Sequence, residues 1–223
     1  MRLGSFLLVF VLLATAESLA PRRPTSPRRL RRWSSNLGIL GLNSIVVRLV
    51  MPIMAIDMAW MAEARGWGLF AYANMSYIPT VIAGVVLLDF AIYCQHVCFH
   101  FVPLFWRLHR MHHADTEFDV SLGGRFHPLE ILLSMGIKVG VVAAFGIPAL
   151  AVLIFEVLLN ATSMFNHSNL KLPLRLDAAI RCVIVTPDMH RVHHSTHPSE
   201  TNSNFGFNFS LWDRICKTYR PQP

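Results

Sequence analysis

Asp89-Phe-Ala-Ile-Tyr93-Cys-Gln-His96-Val-Cys-Phe-His100-Phe-Val-Pro-Leu-Phe-Trp-Arg-Leu-His109-Arg-Met-His112-His113 is the stretch on which the reading of this chain turns. It begins as the end of an apolar run. Asp89, Tyr93, His96 and His100 are spaced i, i+4, i+7 and i+11, which is one stripe of a helix leaving a membrane. Nine residues on, His109, His112 and His113 stack three imidazoles on one helix face at i, i+3 and i+4. A second copy follows at His190, His193 and His194, and the two copies suggest opposed helices clasping a common centre. All eleven histidines lie between His96 and His197, and residues 1–95 contain none. Histidine scattered at random does not gather in this way, so the arrays point to metal.

The number of ligands decides how many ions. A structural zinc site takes four ligands and a catalytic one three plus a water. The arrays supply His96, His100, His109, His112, His113, His190, His193 and His194, with His167 and His127 as additions, which is too many for one ion and enough for two. Imidazole suits iron, copper, zinc and nickel alike, so the ligand type does not choose the metal. His167, in Asn166-His167-Ser168-Asn169, closes an apolar segment where a single ring reaches the same cavity. His127, in Arg125-Phe-His127-Pro-Leu-Glu130, stands by itself, and His197 has no array spacing and reads as lying behind the ligands or on the surface. An acid at membrane depth is costly without a partner. Asp89 is therefore expected either to accept a hydrogen bond from a liganding imidazole, with Tyr93 lining the same cavity, or to pair with an interfacial arginine. Asp188 precedes the second array, with Pro187 opening its helix. Asp89, Tyr93 and Asp188 are the candidate catalytic side chains. Cys94, Cys98, Cys182 and Cys216 form no CxxC pair; Cys94 and Cys98 share a helix face within reach of a metal, but the plainer expectation is reduced, buried thiols.

Hydrophobic residues make up 53% of the 223 and charged ones 15%, too apolar for an ordinary soluble protein. Apolar stretches cover residues 3–20, about 37–60, about 74–95 and 129–165, the last long enough to cross twice around Gly146-Ile147-Pro148. An all-α integral membrane protein with four to five membrane helices and a cytoplasmic helical cap holding a histidine-rich dimetal site is expected. Residues 1–35 would form a membrane helix plus basic loop, 36–82 an additional membrane region, and 83–223 the catalytic domain. One arginine precedes the first apolar stretch and six follow it between Arg22 and Arg32. That order favours a retained helix over a cleaved signal peptide and holds the loop in the cytoplasm. Sixteen of the 20 Lys and Arg then fall on the cytoplasmic side with every histidine array and the C-terminus. The net charge of +7 is thus a topology signal and not a nucleic-acid footprint.

From Asp89 to Tyr219 the chain resembles the membrane-bound fatty acid hydroxylase and sterol desaturase superfamily, whose members carry HxxxH, HxxHH and a second HxxHH around a non-haem di-iron centre. The tail Asn202-Ser-Asn204-Phe-Gly206 and Leu211-Trp212-Asp213-Arg214 extends the likeness. Family members then commonly read Phe-Gly-Thr-Tyr, where this chain has Cys216-Lys217-Thr218-Tyr219. The resemblance implies two iron ions, O2 as cosubstrate, and hydroxylation or desaturation of an unactivated C–H bond in a fatty acyl, sterol-like or other lipid drawn from the membrane. No GxGxxG, CxxCH or ferredoxin-type cysteine run is present, so electrons must come from a separate ferredoxin- or cytochrome b5-type donor. A zinc-dependent lipid hydrolase is a rival, although HExxH and a nucleophile elbow are absent. A membrane metal transporter is another, but it would place ligands at mid-depth, whereas these gather beyond the helix ends. A b-type cytochrome would need paired histidines on facing membrane helices.

Overall fold

The structure is a computed structural model that describes residues 2–221. Met1, Gln222 and Pro223, at the outer edges of the expected regions 1–35 and 83–223, lie outside the described residues, and so does the C-terminal end. The described residues are helical. The long apolar helices are α1 (Arg2–Leu19), α2 (Arg29–Val50), α5 (Tyr77–Phe101), α7 (Pro128–Phe145) and α8 (Ala149–Asn166). Between α2 and α5 lie α3 (Ala55–Arg65) and α4 (Leu69–Tyr72). The cap is built from α6 (Pro103–His113), a 3-10 turn at Val120–Gly124, α9 (Leu174–Ile180), α10 (Pro187–His193), α11 (Pro198–Thr201) and α12 (Leu211–Ile215).

Four segments are long and apolar enough to cross a membrane, 29–72, 77–101, 128–145 and 149–166, and α1 is a shorter apolar helix. The second apolar stretch differs from expectation. Met51 and Pro52 interrupt it, because proline lacks the N–H to continue a helix and extends the residue before it; α3 then begins anew at Ala55. The expected division at residues 35 and 36 falls inside α2.

Helix α5, 25 residues long, is about 37 Å at 1.5 Å per residue, longer than a hydrocarbon core of about 30 Å. It is therefore long enough to cross with turns to spare, and its last turns carry His96 and His100. It packs on α6, α7 and α8, and α3 lies against α7 and α8. Ala55, Ala59 and Ala62 are fully buried on α3, the small side chains that let membrane helices approach closely. Leu88, Ile92, Val142, Ile147 and Phe155 form the core between them. The α7–α8 hairpin turns where expected, at Gly146, with φ +68° and Pro148 as the residue before α8. A Cβ on Gly68 would stand 2.2 Å from the Gly146 nitrogen. Both positions are therefore closed to larger residues.

The basic loop after α1 is more than a topological marker. Glu17, buried at the end of α1, accepts from Arg29 at 2.8 Å, from the Val120 amide at 3.0 Å and from the Asn169 amide at 2.8 Å. Arg32 grips Asp115 through Nε at 2.8 Å and a terminal nitrogen at 2.9 Å, and Asp119 at 2.7 Å. Asn36 donates to Asp115 and to Ser121. The N-terminal segment is thus strapped to the loop that follows the first HxxHH.

Candidate metal centre

Helix ends deliver every array histidine to one place: His96 and His100 from the last turns of α5, His109, His112 and His113 from α6, and His190 and His193 from α10, with His194 at its C-cap and His167 at that of α8. Thr186 starts α10 by accepting from the Met189 amide, with Pro187 in its first turn as the sequence suggests. The nine rings sort into two groups. One comprises His96, His100, His109, His113 and His193; the other comprises His112, His167, His190 and His194. Within each group the candidate donor nitrogens lie within 4.8 Å of one another.

The outer nitrogens are held by acceptors. Nδ1 of His96 donates to the Phe205 carbonyl at 2.7 Å, His193 to Ser203 at 2.8 Å, His112 to Arg125 at 3.1 Å and His167 to Ser163 at 2.7 Å. A carbonyl only accepts, so each of these rings carries its proton on Nδ1 and turns a bare Nε2 inward. His109 donates from Nδ1 to Glu130 at 2.7 Å, and His100 reaches the Asn202 side chain at 3.3 Å.

The inner nitrogens crowd. Nε2 of His167 lies 2.9 Å from that of His112, 3.0 Å from that of His190 and 3.2 Å from that of His194. His96 and His109 bring their Nε2 atoms to 3.1 Å. Burial holds His109, His112, His113, His190, His193 and His194 well below the usual imidazole range, aided by the neighbouring rings. His167 is lowered to about 4 by burial. Neutral His112 and His167 rings with bare Nε2 atoms facing at 2.9 Å would repel. A cation between them removes the repulsion, and the spacing is right: nitrogens about 2.05 Å from a metal stand about 2.9 Å apart at neighbouring octahedral positions and about 3.3 Å apart in a tetrahedron. Nε2 of His100, His113 and His193 is buried without a hydrogen-bond partner, as donors reserved for a metal would be. The residues present fit two metal ions.

Other candidates lie elsewhere. His127 belongs to neither group; its Nδ1 accepts from the Leu129 amide and caps α7. Asp89 touches no imidazole: it accepts from Trp212 Nε1 at 2.7 Å and from the Phe209 amide at 3.4 Å. The carboxylate on an array ring is Glu130, 3% exposed, which sequence reasoning passed over because an acid in the first turn of a helix reads as an ordinary partner for the helix dipole. Tyr93 bonds Thr218 through its hydroxyl at 2.8 Å. Asp188 pairs with Arg22 at 3.2 Å and with Arg191, holding the start of α10. His197 is exposed at the start of α11. The four thiols are free and exposed, not buried as expected, and stand outside both groups. Lys217 adopts φ +60°, the left-handed conformation that glycine would hold without strain in the family's Phe-Gly-Thr-Tyr.

The centre is approached from two sides. A cavity of about 350 Å³ lies between α2, α5, α7 and α8; His96, His109 and Glu130 line it beside apolar Ile92, Phe99, Met135 and Leu159 and polar Arg48, Lys138 and Glu156. On the cap side, a polar groove edged by Arg22, Arg23, Glu117, Asp188 and Arg191 reaches His113 and His194.

Comparison with known proteins agrees with this geometry. The family described as Fatty acid hydroxylase matches residues 81–218. The ornithine lipid hydroxylase OlsE of Rhizobium tropici is 29% identical over 146 residues, 64% of this chain and 42% of that protein. The alkylglycerol monooxygenase of Caenorhabditis elegans is 27% identical over 135 residues, 60% of this chain and 26% of that protein. The cholesterol 25-hydroxylase of Rattus norvegicus is 29% identical over 145 residues, 64% of this chain and 47% of that protein. The chain therefore spans less than half the length of these relatives. No solved structure matches it. Both imidazole groups lie wholly inside the matched residues, and the chain belongs to the fatty acid hydroxylase family.

Proposed function

We propose that this chain is an O2-dependent hydroxylase of a membrane lipid, working at two iron ions held by the five-nitrogen and four-nitrogen groups. The observation that carries the reading is the set of inward-facing Nε2 atoms 2.9 to 3.2 Å apart around His167, beside a second group whose His96 and His109 line a cavity between apolar helices. When bound, iron supplies the O2 chemistry that breaks an unactivated C–H bond, which imidazole alone cannot do. The relatives named hydroxylase and monooxygenase favour oxygen insertion over desaturation. The balance is one C–H bond, O2, two electrons and two protons giving one C–OH and one water.

The chain's own residues do the rest. Carbonyls of Phe205, Ser203, Arg125 and Ser163 lock four rings by their Nδ1 protons, and Glu130 does so for His109. Neutral rings leave the charge on the metals uncompensated. Asp188 acts by holding α10 in register, Asp89 by tying Trp212 of α12 to α5, and Tyr93 by anchoring the 216–219 tail through Thr218. The apolar wall of the cavity aligns a lipid chain entering from the bilayer and excludes water. The polar groove beside His113 and His194 is where a separate ferredoxin- or cytochrome b5-type donor delivers electrons. Residues 83–223 form the catalytic domain, a division supported by the family match; 1–35 and 36–82 add membrane helices and the arginine strap.

The cap faces the cytoplasm, because its loops carry most of the cationic side chains. A cysteine introduced near Gly66 then reacts with an impermeant thiol reagent in intact cells, and one beside Arg220 does not. For the activity, cells with and without the chain are compared under 18O2. A lipid heavier by one labelled oxygen is expected. A lipid lighter by two hydrogens, or no changed lipid, overturns hydroxylation.

A further inference from the structure

The cap carries an apolar surface that its own packing leaves uncovered. Leu174 and Leu176 of α9, Val183, and Leu211 and Ile215 of α12 are 48% to 75% exposed. One unit holds them: the Ser210 amide donates to the Val183 carbonyl at 3.0 Å and the Val185 amide to the Asn208 carbonyl at 3.1 Å, and the Arg181 carbonyl accepts from Ser210 Oγ and from Arg214. The exposed charge of this unit has one sign. Arg175, Arg214 and Lys217 are exposed, whereas both acids are buried, Asp177 against Arg181 and Asp213 under the Phe205 and Gly206 amides. An exposed apolar patch edged by cations alone complements an anionic lipid leaflet.

The height of the unit along α5 agrees. Trp212 Nε1 donates to Asp89 at 2.7 Å, the Trp212 ring lies 4.8 Å from that of Phe90, and Thr218 meets the Tyr93 hydroxyl at 2.8 Å, so α12 lies alongside residues 89–93. Asp89 and Tyr93 precede the end of α5 at Phe101 by about 18 and 12 Å of helix rise, and α5 exceeds the hydrocarbon core by about 7 Å. With all of that surplus on the cap side, α12 still stands about 5 to 11 Å inside the hydrocarbon, the depth at which interfacial helices lie. We propose that the face formed by α9, Val183 and α12 is seated in the leaflet on the cap side, with Leu211 and Ile215 among acyl chains and Arg175, Arg214 and Lys217 holding the phosphates of anionic lipids. Long cationic side chains reach from the apolar layer to the headgroups while their stems stay dry. An acidic protein would match the charge but not exposed apolar side chains level with the hydrocarbon.

The test uses the full chain, its four cysteines replaced by alanine, in phosphatidylcholine vesicles, and needs neither metal nor turnover. A fluorophore is attached at Leu211→Cys and, as a control, at His197→Cys, exposed at the start of α11. A minor share of the lipid is then replaced by phosphatidylcholine or phosphatidylglycerol brominated at mid-chain. The label at 211 is expected to be quenched by both, and about fivefold more effectively by phosphatidylglycerol, the enrichment that one cation beside an anionic headgroup supports. The label at 197 is quenched by neither. Arg175→Gln/Arg214→Gln/Lys217→Gln removes the preference and leaves quenching by phosphatidylcholine in place. Salt at about 1 M, where the Debye length is about 3 Å, weakens the preference without any of these substitutions. A label at 211 that neither lipid quenches lies in water, as a surface kept for an acidic protein would, and overturns the seating. Equal quenching by the two lipids, a preference untouched by the triple variant or by salt, or a label at 197 quenched as strongly as that at 211 overturns the recognition of anionic lipid by this face. Should the triple variant fail to fold, the comparison of lipids and of salt levels decides by itself.

Discussion

Replacing Glu130 by Gln separates a side chain that supports the metal centre from one that merely lies near it. Glu130 accepts from His109 Nδ1 at 2.7 Å and is 3% exposed. The bond is carboxylate to N–H in a buried site, so it contributes about 1.5 to 3 kcal/mol, against about 0.5 to 1.5 for a neutral pair. Gln keeps the shape and an acceptor oxygen but loses the charge. The difference, about 1 to 1.5 kcal/mol, is roughly a tenfold loss of metal affinity, and Glu130→Ala, which orphans the Nδ1 proton, extends it toward a hundredfold. Asp89→Asn is the control, because Asp89 bonds Trp212 and not an imidazole; it lowers thermal stability and leaves metal affinity alone. The assay is competition for the metal with a chromophoric chelator across a concentration series, run beside a thermal melt. Unchanged metal affinity in both Glu130 variants, or a tenfold loss in Asp89→Asn, refutes the assignment.

Three further outcomes follow from the same geometry. His167→Ala opens the group in which its Nε2 meets three others and halves the metal bound per chain, whereas His127→Ala keeps both metals and costs about 1 kcal/mol as a lost helix cap, read by thermal melts and metal analysis. Stability of the metal-free chain depends on pH with a definite sign: His167 has its folded pKa lowered from 6.5 to about 4, so the unfolded chain binds more protons between these values. Stability is present above pH 6.5 and falls as pH drops toward 4, and a melting temperature that rises on acidification contradicts buried neutral rings. Lys217→Gly relieves a left-handed residue at φ +60° and raises stability by about 1 kcal/mol, measured as an increased melting temperature.

Much of this was legible in the sequence because histidine spacing and apolar length are local signals. HxxxH and HxxHH gave the rings and their faces, and Gly146-Ile147-Pro148 gave the hairpin, since the turn is written in residues that can do little else. His167 was legible only as a ring at a helix end; its central place among three others depends on how α6, α8 and α10 meet. Asp89 reads from the sequence as a partner of an imidazole or of an arginine while Glu130 draws no notice, because both acids border apolar helices, and only packing shows that α7 brings Glu130 to His109 of α6 while α12 brings Trp212 to Asp89. The arginine strap was invisible for a related reason: Arg32 and Asp115 are 83 positions apart, and a cluster of arginines after an apolar helix already had a sufficient explanation in topology. Sequence separation, not chemistry, hid these pairs.

On the proposed function, nine imidazoles hold two metals in two separate groups. Metal analysis of the full chain, purified in mild detergent from iron-replete cells, tests it most directly when wild type is measured beside His100→Ala and His190→Ala, one from each group. Close to two metal ions per wild-type chain are expected, with iron the metal that supports oxygen insertion, and about one in each variant. A wild-type value near one, or both ions lost together from a variant that still folds, contradicts it.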